Sequence, residues 1–268
     1  MTETTFENHF DTTLPAYERW GQPCSEHFSR AALQGAALPV GAAVLDVCAG
    51  MGALAVPAAE RGYSVRAIDT SPGMIRRATE RLEPYSGWSA EVMDALDLQY
   101  GDNEFDAAFS VFGVLFFGPG TAKALTEMVR VVRPGGLVSV VNWATPLGAP
   151  FFIPVARAID RLDDPEVGKF LAPLTEYLER PELESALSDV GCVDVRSESV
   201  EGVFAIPNAE TFMDELDPIF RVLPQYRAAV AKDGDRFRAL LVEEVLRTAA
   251  GELPPARGNI VYAQVPSS

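Results

Sequence analysis

The chain has 268 residues, with 22 Lys+Arg against 38 Asp+Glu and a formal net charge of −16 at pH 7. It is 48% hydrophobic and 22% charged, which excludes a disordered or fibrous chain and suits one large domain with an elaborated insertion. So acidic a balance, without a Lys/Arg-rich run, argues against duplex DNA or RNA as a partner, because polyanion binding relies on neutralising phosphates with cations.

Three cysteines, at 24, 48 and 192, make no close pair. No CxxC-type metal or redox motif can be built from them, and a reducing cytoplasm is the expected compartment. Met1-Thr2-Glu3-Thr4-Thr5 offers no basic n-region, and no 18-residue apolar run occurs. A soluble protein without a membrane span or a secretion signal is expected.

Strands and helices alternate through the first half. Val44 to Cys48 reads as a strand buried on both faces. Residues 52–61 read as a helix, against which Pro57 is an objection. Ser64 to Ile68 is a second strand. Thr70-Ser71-Pro72 then starts a helix whose Met74, Ile75, Ala78 and Leu82 share one face. Ser89 to Met93 and Phe105 to Phe112 are the third and fourth strands. Thr121 is expected to cap a helix that Pro134-Gly135-Gly136 stops, and Leu137 to Trp143 is a fifth strand. Such alternation implies parallel βαβ units in a doubly wound α/β sheet.

The second half is less regular. Residues 145–180 and 207–255 read as helical elaborations over the sheet. Pro181 opens a helix that Gly191 ends, Cys192 to Val200 and Gly202 to Ile206 look extended, and Asn259 to Val265 is a final strand.

The most informative stretch is Asp46-Val47-Cys48-Ala49-Gly50-Met51-Gly52-Ala53-Leu54-Ala55. Small residues between a buried strand and a helix let backbone amides approach a ligand, and open α/β sheets bind ligands beyond the carboxyl ends of their strands. The segment from Gly50 also fits G-x-G-x-x-[GA], with Asp69 near the acidic position, so the loop alone leaves a nicotinamide or flavin enzyme open. Downstream positions separate the readings. Asp69 closes the second strand, where a carboxylate can accept both ribose hydroxyls. Asp94-Ala95 closes the third, where an acid can accept from an adenine amino group. Ser110-Val111-Phe112 closes the fourth.

With Val44-Leu45-Asp46 through Gly52, Asp69-Thr70-Ser71-Pro72-Gly73-Met74, Asp94-Ala95, Phe105-Asp106 and Val131-Val132-Arg133-Pro134-Gly135-Gly136-Leu137, the sequence resembles the class I S-adenosylmethionine-dependent methyltransferases acting on small molecules. The likeness covers residues 40–145 well and departs at Cys48, where the family often has glycine. It implies a Rossmann-like, mostly parallel seven-stranded sheet with helical lid insertions: an N-terminal lid over 1–40 and a methyltransferase domain over 41–268.

The resemblance further implies that Ala49, Gly50 and Gly52 line the methionine part of S-adenosylmethionine, with Asp46 supporting the loop and the ammonium. Asp69 holds the ribose, with Thr70 and Met74 beside the adenosine. Asp94 reads the adenine, with Ala95 and Leu96 near the ring. Ser110 offers its backbone to the methionine end, and Phe112 faces the reaction chamber. An N-terminal aromatic, Tyr17 or Trp20, closes over the cofactor or packs an amphipathic helix. A homodimer is the default expectation for such enzymes.

Transfer of an activated methyl needs alignment more than acid–base chemistry, and no metal. A base is required only when the nucleophile must lose a proton. Of the two histidines, His9 and His27, the latter lies in the segment expected to roof the site and is the candidate base. Phe151, Phe152, Phe170, Tyr177, Phe204, Phe212, Met213, Phe220 and Tyr226 suggest an apolar acceptor chamber, or ordinary packing of the lid helices. The competing readings are a nicotinamide-dependent oxidoreductase, which leaves Asp94 and the Pro-Gly-Gly turn unexplained, and a cyclase or isomerase that keeps the cofactor on the same fold.

Overall fold

The computed structural model describes residues 13–145, 147–170, 178–202, 205–221, 223–248 and 255–267. Among them, seven strands form one sheet in the order β3-β2-β1-β4-β5-β7-β6. They are β1 Ala43–Val47, β2 Ser64–Asp69, β3 Trp88–Val92, β4 Phe105–Val111, β5 Val132–Trp143, β6 Val193–Gly202 and β7 Ala256–Gln264. Strands β1 to β5 pair in parallel, and β7 runs antiparallel to both β5 and β6. The expected seven-stranded, mostly parallel sheet is therefore the one found. The chain starts at the centre, steps outward through β2 to β3, and returns to place β4 on the other side of β1. That reversal opens a crevice at the carboxyl ends of β1 and β4.

The helices are a π-helical turn, α1 Tyr17–Gly21, running directly into α2 Gln22–Ala36, then α3 Ala55–Glu60, α4 Pro72–Leu82, α5 Thr121–Val131, α6 Phe152–Leu162, α7 Arg180–Asp189, α8 Phe212–Phe220 and α9 Pro224–Arg247. Successive residues of β1 point to opposite faces of the sheet, and both faces are covered. Val44 joins the core beneath α2, α3, α6, α8 and α9, whereas Leu45 joins the core beneath α5 and α7. Both are fully buried, as a parallel strand between two helical layers requires.

Several local expectations change. The helix after the glycine loop begins at Ala55, three residues later than the pattern suggests. Pro57 then sits in its first turn, where an amide hydrogen has no intrahelical partner, and the objection dissolves. Ser71 does cap α4, its Oγ accepting from the Met74 amide at 3.1 Å. Thr121 does not cap α5: Gly120 holds that position, and the Thr121 hydroxyl donates to the Val114 carbonyl at 3.1 Å.

The α5 helix ends at Val131, ahead of Pro134, and β5 starts at Val132. The Pro-Gly-Gly run is an irregularity inside that strand, where the pairing with β4 shifts between Phe105 and Ala107. A Cβ on Gly136 would lie 2.5 Å from Val132 Cγ1 and 2.7 Å from the Asp106 carbonyl, so glycine is what lets the two strands close at the bulge. Asp106 staples the same end: its Oδ2 accepts from the Ala43 amide at 2.7 Å and its Oδ1 from Arg133 Nε at 2.5 Å. Phe105-Asp106 and Arg133 therefore belong to the framework, at the end of the sheet away from the crevice.

In the second half, Gly191 follows the α7 cap residue with φ +95°, as a terminating glycine should. The extended Gly202 to Ile206 segment forms no further strand at its described residues, while Phe204 lies outside them. The 207–255 region resolves into α8 and a long α9 kinked at Asp233. Among the described residues, no helix is long and apolar enough to cross a membrane.

Candidate functional site

β1 delivers Asp46 to the crevice almost wholly buried, at 1% exposure. Its Oδ2 accepts from the Ala55 amide at 2.9 Å, tying the strand to the start of α3 across the intervening loop. Burial pushes its pKa up to about 7, helped by the charge of Asp69 and opposed by the Ala55 and Leu54 amides.

The loop itself alternates through left-handed conformations, with φ +60° at Cys48, +53° at Gly50 and +77° at Gly52. Glycine adopts these freely, whereas a residue with a side chain pays of order 1–3 kcal/mol. Cys48 is held there by its surroundings. A Cβ on Gly113 would stand 2.3 Å from Cys48 Cβ and 2.9 Å from Ser110 Oγ, so the ends of β1 and β4 interlock through a position that only glycine fits. Gly113→Ala is expected to lower stability by about 1–3 kcal/mol through overpacking and to disturb ligand binding at the loop. Denaturant midpoints and calorimetric titration would check this, and a variant of unchanged midpoint and affinity would contradict the interlock.

Asp69, at the end of β2, grips both halves of the crevice. Its Oδ2 accepts from the Gly50 amide at 2.9 Å and its Oδ1 from the Ser71 amide at 2.9 Å. Ala49 is pinned by its own amide to the Ile68 carbonyl at 2.8 Å. Thr70 is exposed beside it, and Met74 is buried at the first turn of α4.

Asp94 follows β3, exposed, with Oδ1 accepting from the Leu96 amide at 2.8 Å. Ala95 is buried and Leu96 half-buried. Asp46, Asp69 and Asp94 all act on Cys48, whose thiol is pushed well up by burial and further by the charges of all three.

Ser110 is fully buried, its Oγ accepting from the Val114 amide at 3.2 Å. Phe112 takes a left-handed backbone, φ +56°, uncommon for a bulky residue. It is set there by stacking on Trp143, with centroids 3.9 Å apart and planes at 10°, and by edge contact with Phe28 at 5.2 Å. Phe28 and Trp143 form this aromatic wall with Phe112, and short-range sequence patterns do not reveal it because the three come from α2, β5 and the turn after β4.

Tyr17 stands in the turn ahead of α2, near enough to Asp46 and Asp69 for their charges to act on its hydroxyl. Its hydroxyl is 3.0 Å from Ser25 Oγ; burial pushes its pKa up, against the Ser25 hydrogen bond, with Cys24, Asp69 and Asp46 adding to the rise. Although the residue as a whole is only half-buried, its hydroxyl end is enclosed. Trp20 turns the other way, its Nε1 donating to Glu215 Oε2 of α8 at 3.0 Å.

The structure does not bring His27 to this group. It is exposed, with Nε2 3.0 Å from the Glu201 carbonyl at the end of β6. His9 lies outside the described residues, as does Tyr177. Of the other aromatics suggested for a chamber, Phe220 packs against Phe151, Phe152, Phe212 and Tyr226 at 5.4–5.8 Å, which is packing among α6, α8 and α9.

Residues 44–136 match a family described as a methyltransferase domain. An uncharacterized protein of Mycobacterium tuberculosis is 38% identical over 105 residues, 38% of each chain, so the chain aligns with well under half the length of the first curated relatives it matches. A demethylmenaquinone methyltransferase of Renibacterium salmoninarum is 30% identical over 207 residues, covering 72% of this chain and 86% of the relative. In fold, the chain is similar to a Haemonchus contortus phosphoethanolamine N-methyltransferase 2 solved with phosphomonomethylethanolamine and S-adenosylhomocysteine. That match has a TM-score of 0.60 and 21% identity, over 96% of this chain and 57% of the other.

Proposed function

The chain belongs to the class I S-adenosylmethionine-dependent methyltransferases, and from that premise we propose that it methylates an apolar small or medium-sized organic acceptor at O, N or C. The observation that carries this is the set of three strand-end aspartates, Asp46, Asp69 and Asp94, gathered around a loop of left-handed residues. Their chemistry fits the cofactor. A carboxylate can accept from two ribose hydroxyls, from an adenine amino group and from an ammonium. A Cβ on Gly50 would meet nothing within 4 Å, leaving open space above the loop where a ligand can approach the backbone.

S-adenosylmethionine, when bound, supplies an electrophilic methyl group on a sulfonium. The residues of this chain then have to bind, align and exclude water. In this reading Asp69 holds the ribose beside Thr70 and Met74, and Asp94 holds the adenine with Ala95 and Leu96. Ala49, Gly50, Gly52 and the Ser110 backbone line the methionine end. Tyr17 covers it, and Phe112, backed by Trp143, forms the wall facing the acceptor. The aromatic wall supports an apolar acceptor, and a demethylmenaquinone methyltransferase among the relatives points the same way. Aligning reactants for an in-line displacement can contribute about 7–11 kcal/mol, so His27, turned toward β6, is not needed as a base in this reading.

The three cysteines are free thiols, in keeping with a cytoplasmic enzyme, and the acid-rich composition fits a small-molecule acceptor better than a nucleic acid. A homodimer remains the expected assembly.

The test is calorimetric titration with S-adenosylmethionine, S-adenosylhomocysteine, NADH and NADPH, followed by an acceptor screen that reads S-adenosylhomocysteine release. Binding of the two sulfur nucleosides, with one S-adenosylhomocysteine released per methylated acceptor, is expected. Acceptor conversion with the cofactor left intact would replace methyl transfer by a cyclase or isomerase reaction. Asp94→Ala should weaken S-adenosylhomocysteine about tenfold, the worth of one hydrogen bond to a charged group, with little change in thermal midpoint because the side chain is exposed. Undiminished affinity would remove Asp94 from the adenine site.

A further inference from the structure

Gln22 is the first residue of α2 and is 5% exposed. Among the described residues, neither its amide nitrogen nor its amide oxygen has a hydrogen-bond partner. A primary amide carries two donors and an acceptor, and leaving them buried and unmet is costly enough that folded proteins rarely do so without a purpose.

Helical spacing sets Gln22 on the same face as Ser25, Glu26 and Ser29, and that face is tied to the glycine loop through Glu26 and Arg81. Ser25 meets the hydroxyl of Tyr17, which itself feels Asp46 and Asp69. Glu26 accepts from Arg81 Nη2 at 3.0 Å, and Arg81 Nη1 donates to the Met51 carbonyl at 2.7 Å. Ser29 is already satisfied, donating to the Ser25 carbonyl at 2.8 Å, which leaves Gln22 as the polar group of this face whose bonds are unmade.

The backbone just ahead of it is unusual. The π-helical turn α1 ends at Gly21, where a Cβ would lie 2.6 Å from the Tyr17 ring. Such turns are frequent at functional sites. Here the turn folds Tyr17 back along α2, bringing its ring and the Gln22 amide to the same end of the helix.

Given that the loop binds S-adenosylmethionine, we propose that Gln22 holds the zwitterionic amino-acid end of that cofactor. Its NH2 donates to the carboxylate and its carbonyl accepts from the ammonium. The three aspartates suit hydroxyls, an amino group and a cation, but as carboxylates they have nothing to donate to another carboxylate. A neutral amide provides that donor and still accepts from the ammonium beside it.

The experiment compares two ligands on the full chain: S-adenosylhomocysteine, and 5′-methylthioadenosine, which keeps the nucleoside and thioether but lacks the amino-acid end. Gln22→Met removes the polar atoms at similar volume. It is expected to weaken S-adenosylhomocysteine by about tenfold or more while leaving methylthioadenosine within about twofold. The ligand-free thermal midpoint should rise, because an unmet buried amide is gone. Gln22→Leu serves as a second variant should methionine repack the lid. Equal losses on both ligands would make Gln22 a shaper of the lid and overturn the proposal, as would an unchanged affinity for S-adenosylhomocysteine. If the unaltered protein binds neither ligand, the cofactor reading itself falls and the role of Gln22 falls with it; binding by the unaltered protein with no selective loss in the variants overturns Gln22 alone.

Discussion

Asp69→Ala is expected to weaken S-adenosylhomocysteine binding by about 100-fold or more. Two hydrogen bonds from ribose hydroxyls to a charged acceptor are worth about 1.5–3 kcal/mol each, and every 1.4 kcal/mol is roughly tenfold. A second loss compounds the first. Asp69 already accepts from the amides of Gly50 and Ser71, so alanine leaves the Gly50 amide unpaired and removes the tie that holds the loop to the end of β2. Asp69→Asn keeps one carbonyl acceptor and should fall between the two. Calorimetric titration measures the affinities, and circular dichroism establishes that each variant is folded. A folded Asp69→Ala protein binding S-adenosylhomocysteine within tenfold of the unaltered chain would sink the ribose role.

Asp69 also shows why the framework of this site was legible in the sequence. A carboxylate at the end of a strand, a hydroxyl cap and a proline at the helix start are local features, and each has a local physical reason. Ser71 caps α4 and Asp69 reaches back to the loop over a short stretch of chain. The β1–α3 loop, the five parallel strands and the capping glycine at 191 were readable on the same grounds. Pro57 is no obstacle in the fold, because helix ends are set by tertiary geometry that periodicity locates only to within a few residues.

What the sequence did not show was contact between distant segments. Trp20 meets Glu215 across 195 residues, and Phe112, Trp143 and Phe28 converge from three elements. Gly113 matters because of Cys48, which only the pairing of β1 with β4 brings near it. His27 lies in the segment expected to roof the site, but a helix has an outside: one residue before Phe28, which is fully buried, places it on the exposed side toward β6.

The pH dependence of Asp46 carries the other large effect. Its pKa in the fold is about 7 against an ordinary 3.8, chiefly because burial disfavours the charge. Below about pH 4 the folded and unfolded chains both hold the proton. Between there and about pH 7 the unfolded chain ionises first, so stability falls as pH rises, by about 1.4 kcal/mol per unit and roughly 4 kcal/mol in all. Above about pH 7 the loss is complete and constant. Asp46→Asn keeps an acceptor for the Ala55 amide without the buried charge. It should therefore melt several degrees above the unaltered protein at pH 8 and show no such advantage at pH 4. Ligand binding has the opposite slope. An ammonium beside Asp46 favours the ionised carboxylate, so S-adenosylhomocysteine affinity should rise roughly tenfold from about pH 5.5 to about pH 7, below the range near 7.7 where an α-amino group itself titrates. Binding should release a proton, which calorimetry in two buffers of different ionisation enthalpy detects, and Asp46→Asn should bind more weakly with a flat profile and no release. A pH-independent affinity in the unaltered protein would mean that the ammonium does not meet Asp46. The charge balance of the loop would then rest on Asp69 and Asp94 alone.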